Sequence, residues 1–206
     1  MPGCLSGEWK AMTKFLADIL REPNELSRCL AYQFGPGRDV LEAAARTVQR
    51  AGHVYITGIG SSWHAGIAVQ HLFHAAGRPA TLLDASEFVQ YPEVATGSAV
   101  VVLSRSGRSL DIVRLVEKLK QVKAPVIAVT NAPDSPLGEM AGIVVAASAQ
   151  MDHLVSVTMY SALAMIGGLL SGPALSCSGA FCEALAESLG AAQSLLPKWG
   201  EGVERS

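Results

Sequence analysis

Ser104, Ser106 and Ser109 follow an apolar run, Val100 to Leu103, and flank Gly107. Hydroxyls at this spacing, beside backbone N–H groups freed by a glycine turn, have the chemistry of an anion cradle, phosphate above all. Arg105 and Arg108 add positive charge. Leu110, Val113 and Val116 then begin a helical period, so a helix follows whose positive dipole end faces the same point. Taken alone, such a loop is more often an ordinary hydrophilic turn with a serine cap. A second loop tips the reading toward the cradle. His53 to Thr57 reads as a strand, Gly58 to Ser62 as a turn carrying Ser61 and Ser62, and His64 to Ala76 as a helix of small residues.

Elements must bring these loops together. Thr81 to Asp84 is too short for a helix and reads as a second strand between the two loops. Pro125 to Thr130 and Gly142 to Ala146 supply two more apolar runs. Strands alternating with helical segments predict an α/β fold, a doubly wound five-stranded parallel sheet flanked by helices. Right-handed crossovers give the order 2-1-3-4-5. Strands one and three are then neighbours at the topological switch point, and both hydroxyl-rich loops leave the carboxyl ends of those strands.

Composition narrows the classes. The chain has 206 residues, 50% hydrophobic and 17% charged, enough for a packed core and unlike a disordered chain. A net charge of −2 gives no footprint for nucleic acid. None of the four cysteines (Cys4, Cys29, Cys177, Cys182) has zinc spacing, and the first thirty residues lack the apolar core of a secretory signal. Reduced thiols in a cytoplasm are expected. Leu154 to Gly172 is about as long as a membrane span, yet Ser156, Thr158, Ser161 and paired glycines favour a buried helix on the sheet or on a partner subunit. No membrane association, metal or cofactor is expected.

The organisation expected is an N-terminal helical arm over residues 1–50, a ligand-binding domain over 51–175 and a helical, linker-like tail over 176–206. In the arm, Met12, Phe15, Leu16, Ile19 and Leu20 form one apolar face before Glu22 and Pro23 interrupt it. Leu26 and Leu30 resume the period, and Gly35-Pro36-Gly37 breaks it again. The tail carries Phe181, Leu185, Leu189 and Leu195 on an apolar face and trails off from Pro197.

With the loops placed, the chain resembles the sugar isomerase (SIS) domain family, and within it the first isomerase lobe of glucosamine-6-phosphate synthase. Phe15 to Pro23 resembles the opening "EI-x-E-Q-P" arm, and Gly60-Ser61-Ser62-Trp63-His64-Ala65 resembles "G-T-S-Y-H-A". Ser86-Glu87-Phe88 matches "S-E-F", and Ser104 to Asp111 resembles "S-Q-S-G-E-T-x-D". Thr130-Asn131 followed by Ser135-Pro136-Leu137 resembles "T-N-x-x-x-S-x-L". The resemblance implies that Ser61, Ser62, Ser104, Arg105, Ser106 and Ser109 hold the phosphate of a sugar phosphate. It also implies a homodimer, as in single-lobe isomerases of the family. Ala184 to Trp199 resembles the linker toward a second lobe, where two-lobe relatives carry most acid–base residues.

Departures from the family pattern are specific. Arg105 stands for Gln and Arg108 for Glu. Where the family reads "E-x-x-V-A-S-T-K", Asp152 stands for Glu, Val157 for Ser and Met159 for Lys, which removes one charge and one hydroxyl.

Aldose–ketose isomerisation needs a base, commonly a carboxylate, and a group assisting ring opening, commonly histidine. Glu87, after strand two, is the candidate base, its alternative being a loop carboxylate on a backbone N–H. His153 is the candidate histidine, on a loop that could reach across a dimer. His64 opens the first cradle helix, where packing or capping accounts for it equally well. His71 and His74 lie one helical turn apart without a third ligand. Trp63 either stacks on a sugar or packs in the core, and His53 needs no function.

The leading expectation is thus an isomerase acting through an enediol. The alternatives are a non-catalytic sugar-phosphate-binding module, one lobe of a two-lobe enzyme, or a deglycase on phosphorylated amino sugars. A dinucleotide-binding fold would use Gly58, Gly60 and Asp84, but Trp63 occupies its third glycine position and the Ser104–Ser109 loop has no place in it.

Overall fold

Seven consecutive residues buried along one strand set the architecture, because only a central strand covered on both faces buries every side chain. That strand is β3 (Ser98–Ser104) in the computed structural model, which describes residues 13–90, 94–172 and 180–203. Around it lie β1 (His53–Gly58), β2 (Ala80–Asp84), β4 (Val126–Thr130) and β5 (Ile143–Ala146). All pair in parallel in the order β2-β1-β3-β4-β5, as the strand pattern predicts. Thr57 faces Val102 across β1 and β3, so the two strands end within one residue of each other.

Alternation along the strands builds two cores. Val54, Ile56, Val101, Leu103, Ile127 and Val129 face one layer of helices. That layer is α1 (Lys14–Phe34), α2 (Arg38–Arg50), α3 (Ser61–Ala75), α7 (Thr158–Leu169) and α8 (Ala180–Val203). Val100, Val102 and Ala128 face α4 (Ala85–Phe88), α5 (Leu110–Gln121) and α6 (Pro136–Met140), with Phe88, Leu115 and Leu137 fully buried there. Cys29, Leu41 and Val48 belong to the first core, so the N-terminal helices are packed into the body of the sheet domain.

Three local expectations change. Pro23 lies inside α1 without ending it. The lost N–H bond is local, and tertiary contacts along the helix carry it through. The buried face of α1 is Asp18, Pro23, Glu25, Cys29 and Gln33, while Phe15 is 46% exposed. Of the apolar stripe, Leu26 and Leu30 pack against the first core, while Phe15 points away from it (Met12 lies outside the described residues). At the other end, α8 runs to Val203 where the chain was expected to trail off from Pro197.

The Leu154–Gly172 stretch holds α7, whose Met159, Ala162, Leu163, Ile166 and Leu169 are buried in the first core beside α3. Among the described residues, no helix is long and apolar enough to cross a membrane.

Candidate functional site

Both cradle loops turn on a glycine. Gly60, between β1 and α3, has φ +56°, and Gly107, between β3 and α5, has φ +62°. L-residues rarely adopt either conformation. At Gly107 a side chain would also run into the Ser135 hydroxyl. The Ser104 hydroxyl accepts the Gly107 N–H at 3.0 Å, and the Ser106 hydroxyl accepts that of Arg108 at 3.4 Å. Leu137 donates its N–H to the Gly107 carbonyl at 3.1 Å, tying the turn to α6.

The adjacency of β1 and β3 closes these loops around one cavity of about 160 Å³. Ser61, Ser62, Ser104, Arg105, Ser106 and Ser109 all line it, between Ile59 and Ile112. Two helices begin there, and their start sites differ from most others in the molecule. The N-termini of α1, α4 and α6 are capped by Thr13, Asp84 and Ser135 side chains, and α7 by Asp152. No side chain caps α2, α3 or α5, and of these α3 and α5 begin at the cavity. Ser62 donates its N–H to the Ile59 carbonyl at 3.2 Å, and the positive dipole ends of both helices lie at the cavity. The hydroxyls of Ser61, Ser62 and Ser109 have no protein partner among the described residues. An anion placed there would meet both helix ends.

Arg105 is the cavity's cation. Its carbonyl accepts from Thr130 Oγ1 at 3.5 Å, and its Nη1 donates to Ser156 Oγ at 3.4 Å. Arg108 is exposed and does not line the cavity. Ser156 was not among the expected site residues. It lies one residue before Val157 and brings a hydroxyl to the cavity lining. Its signal was weak, because the loop after β5 reaches the cavity only through tertiary structure.

That loop is held by several groups. Asn131 donates to the Ala149 carbonyl at 2.8 Å and accepts the Ala149 N–H at 2.9 Å. Asp152 accepts the N–H groups of Val157, Thr158 and Met159 at 3.2, 3.1 and 3.0 Å, so the carboxylate that departs from the family pattern is a helix cap. His153 Nδ1 lies 2.7 Å from Asp18 Oδ1, and its backbone N–H donates to Asp18 Oδ2 at 2.8 Å. Asp18 is fully buried and also pairs with Arg21 at 2.7 Å. Burial pushes its carboxyl up, but the hydrogen bonds from His153 and the Arg21 charge outweigh that and hold it below the usual carboxylate value. The candidate histidine thus rests on α1 of its own chain.

Glu87 sits on α4, exposed and outside the cavity lining. Asp84, which a dinucleotide-binding fold would aim at a ribose, accepts instead from Ser86 N at 2.9 Å and Ser86 Oγ at 2.6 Å. His64 Nδ1 bonds the Gly60 carbonyl at 2.8 Å, and His53 and His74 bond Thr81 Oγ1 and the Ala80 carbonyl. Trp63 packs edge-on against His64 and does not line the cavity. Among the described residues, no three potential metal ligands cluster.

Comparison with known proteins agrees with this fold. The family model of the SIS domain matches residues 47–169. A glutamine–fructose-6-phosphate aminotransferase (isomerizing) of Methanocaldococcus jannaschii is 27% identical over 140 residues, 68% of this chain and 13% of that protein. The chain therefore spans about an eighth of that relative's length. The NanR protein of Vibrio vulnificus, complexed with ManNAc-6P, superimposes with TM-score 0.61 at 18% identity, covering 92% of this chain and 70% of that one. The sugar isomerase domain of an RpiR transcription factor from Sphaerobacter thermophilus gives TM-score 0.65 at 18% identity, covering 94% and 100% of the two chains.

Proposed function

Because the chain belongs to the SIS domain family, we propose that it binds a sugar phosphate through this cavity and isomerises it between aldose and ketose. The observation that carries the binding half is the pair of uncapped helix N-termini, α3 and α5, meeting at one hydroxyl-lined cavity with an arginine. Two half-charges from the helix ends and one from Arg105 suit a phosphate monoester. In this reading Ser61, Ser62 and Ser109 donate to phosphate oxygens. Ser104 and Ser106 shape the turn that presents backbone N–H groups, and Arg105 supplies the charge. A protein of the same fold is complexed with ManNAc-6P, which suits a sugar phosphate as the ligand.

For turnover, Glu87 is the base. It is exposed on the element that follows β2, the strand next to β1, whose carboxyl end carries the Ser61 loop. The carboxylate takes the proton from C2 of the open-chain aldose while the C1 carbonyl oxygen gains a proton, giving the enediol. Loss of the O2 proton and delivery of a proton to C1 then give the ketose. The test is hydrogen exchange at C2 of glucose 6-phosphate in deuterated water. Exchange that Glu87→Gln abolishes supports the base, and wild-type protein without exchange contradicts turnover.

A second reading, binding without turnover, is favoured by one observation: among the described residues, the cavity lining contains neither carboxylate nor histidine. The likeness to a transcription factor's sugar isomerase domain suits it as well. Under either reading the protein is a cytoplasmic homodimer, for which Leu154 and Val155, 69% and 53% exposed, offer apolar surface. Sedimentation equilibrium tests that state.

A further inference from the structure

Helix α1 buries a polar face, and nearly every group on it holds the same segment. Glu25 Oε2 accepts the Gln150 N–H at 2.7 Å, and Arg21 Nη2 donates to the Met151 carbonyl at 3.0 Å. Asp18 takes both the ring and the backbone N–H of His153. Glu22 Oε1 accepts from Ser161 Oγ at 2.5 Å, and Gln33 Nε2 donates to the Ala146 carbonyl at 2.8 Å. Burying carboxylates is costly unless each is paired, so this face is built for the segment it grips. The gripped residues lie between 146 and 161, from the end of β5 through the connecting loop to the first turn of α7, and that loop carries Ser156.

Ser156 lies between two anchors. On one side His153 is fixed by Asp18, and on the other Val157, Thr158 and Met159 are fixed by Asp152. Leu154 and Val155 between them are exposed, so nothing in the core holds this stretch. The stretch reaches the cavity through Ser156 Oγ, which accepts from Arg105 Nη1.

We infer that His153 and Asp18 are positioning residues for the anion site: their pairing sets Ser156, and through it the guanidinium of Arg105. The inference rests on the reading of the cavity as a phosphate site. It gives His153 a role in ligand binding without contact with the sugar, exerted through the chain that follows it.

The test is titration calorimetry of wild-type and variant protein with inorganic phosphate and fructose 6-phosphate. The His153 side chain is 40% exposed, so its replacement opens no sealed cavity. His153→Leu weakens binding by about tenfold, within the range found for residues that act through a neighbour. His153→Asn, whose amide can still donate to Asp18, retains most of the affinity. Ser156→Ala also weakens binding, and His153→Leu adds nothing further in that background. His153→Ala serves as a second truncation if the leucine variant does not fold. Wild-type affinity in both truncations, or losses that add in the double variant, overturns the inference alone. Wild-type protein that takes up neither probe overturns the cavity assignment, and the inference with it.

Discussion

Arg105 Nη1 and Ser156 Oγ lie 3.4 Å apart, joining the turn after β3 to the loop after β5 across the mouth of one cavity. The pair places one cation where two helix N-termini already converge. Arg105→Gln should therefore weaken sugar-phosphate binding by roughly 10–100-fold, the worth of a charge-assisted hydrogen bond of about 1.5–3 kcal/mol. Arg108→Gln, at an exposed position outside the lining, should leave affinity within about twofold. Calorimetric titration of the two variants side by side checks the contrast.

Gly107 is set at φ +62° with its flank against Ser135. Gly107→Ala should lower unfolding free energy by about 1–3 kcal/mol, from backbone strain and crowding together. It should also abolish phosphate binding, because the N–H accepted by Ser104 moves with the turn. Urea unfolding gives the first quantity and ligand titration the second.

Asp152 accepts three N–H groups at the start of α7, a helix buried in the first core. Asp152→Ala leaves those donors without a partner and should cost about 1–3 kcal/mol. Asp152→Asn keeps an acceptor and should cost less. Denaturant midpoints of both variants rank them.

Stability should also depend on acid through Asp18. Its folded-state carboxyl lies below the ordinary value of 3.8, so its ionised form stabilises the fold at pH above that value. The contribution fades as pH falls through the lower, folded-state value. The stability gap between wild type and Asp18→Asn should thus be full at pH 6 and shrink on acidification below about pH 4. A gap that widens there contradicts the sign.

Much of this was legible in one sequence because the relevant signals are local. Val100 to Leu103 is apolar at every position, and that marks a strand buried on both faces. The two serine loops follow strands one and three directly, so sheet order alone brings them together. Ser156 and the clasp of α1 escaped for the opposite reason. Ser156 reaches the cavity from fifty-one residues beyond Arg105, a distance no local pattern spans. In α1 the apolar stripe carries no sign that Asp18 and Glu25 are buried too, because the N–H groups they accept, from Gln150 and His153, come from a loop far along the chain. Pro23 within α1 shows the same override of local preference by tertiary contacts.

The central claim is that this cavity holds a phosphate. The most direct measurement is thermal unfolding with fructose 6-phosphate or glucosamine 6-phosphate, against fructose and glucosamine as controls. At a ligand concentration of about 100 times the dissociation constant, linkage stabilises the fold by roughly 2.7 kcal/mol. For a chain of this size that raises Tm by roughly 5–10 °C. A rise with a phosphorylated sugar alone, lost in Arg105→Gln, is the predicted result. No rise with either phosphate at millimolar concentration, or an equal rise with the unphosphorylated sugars, would contradict it.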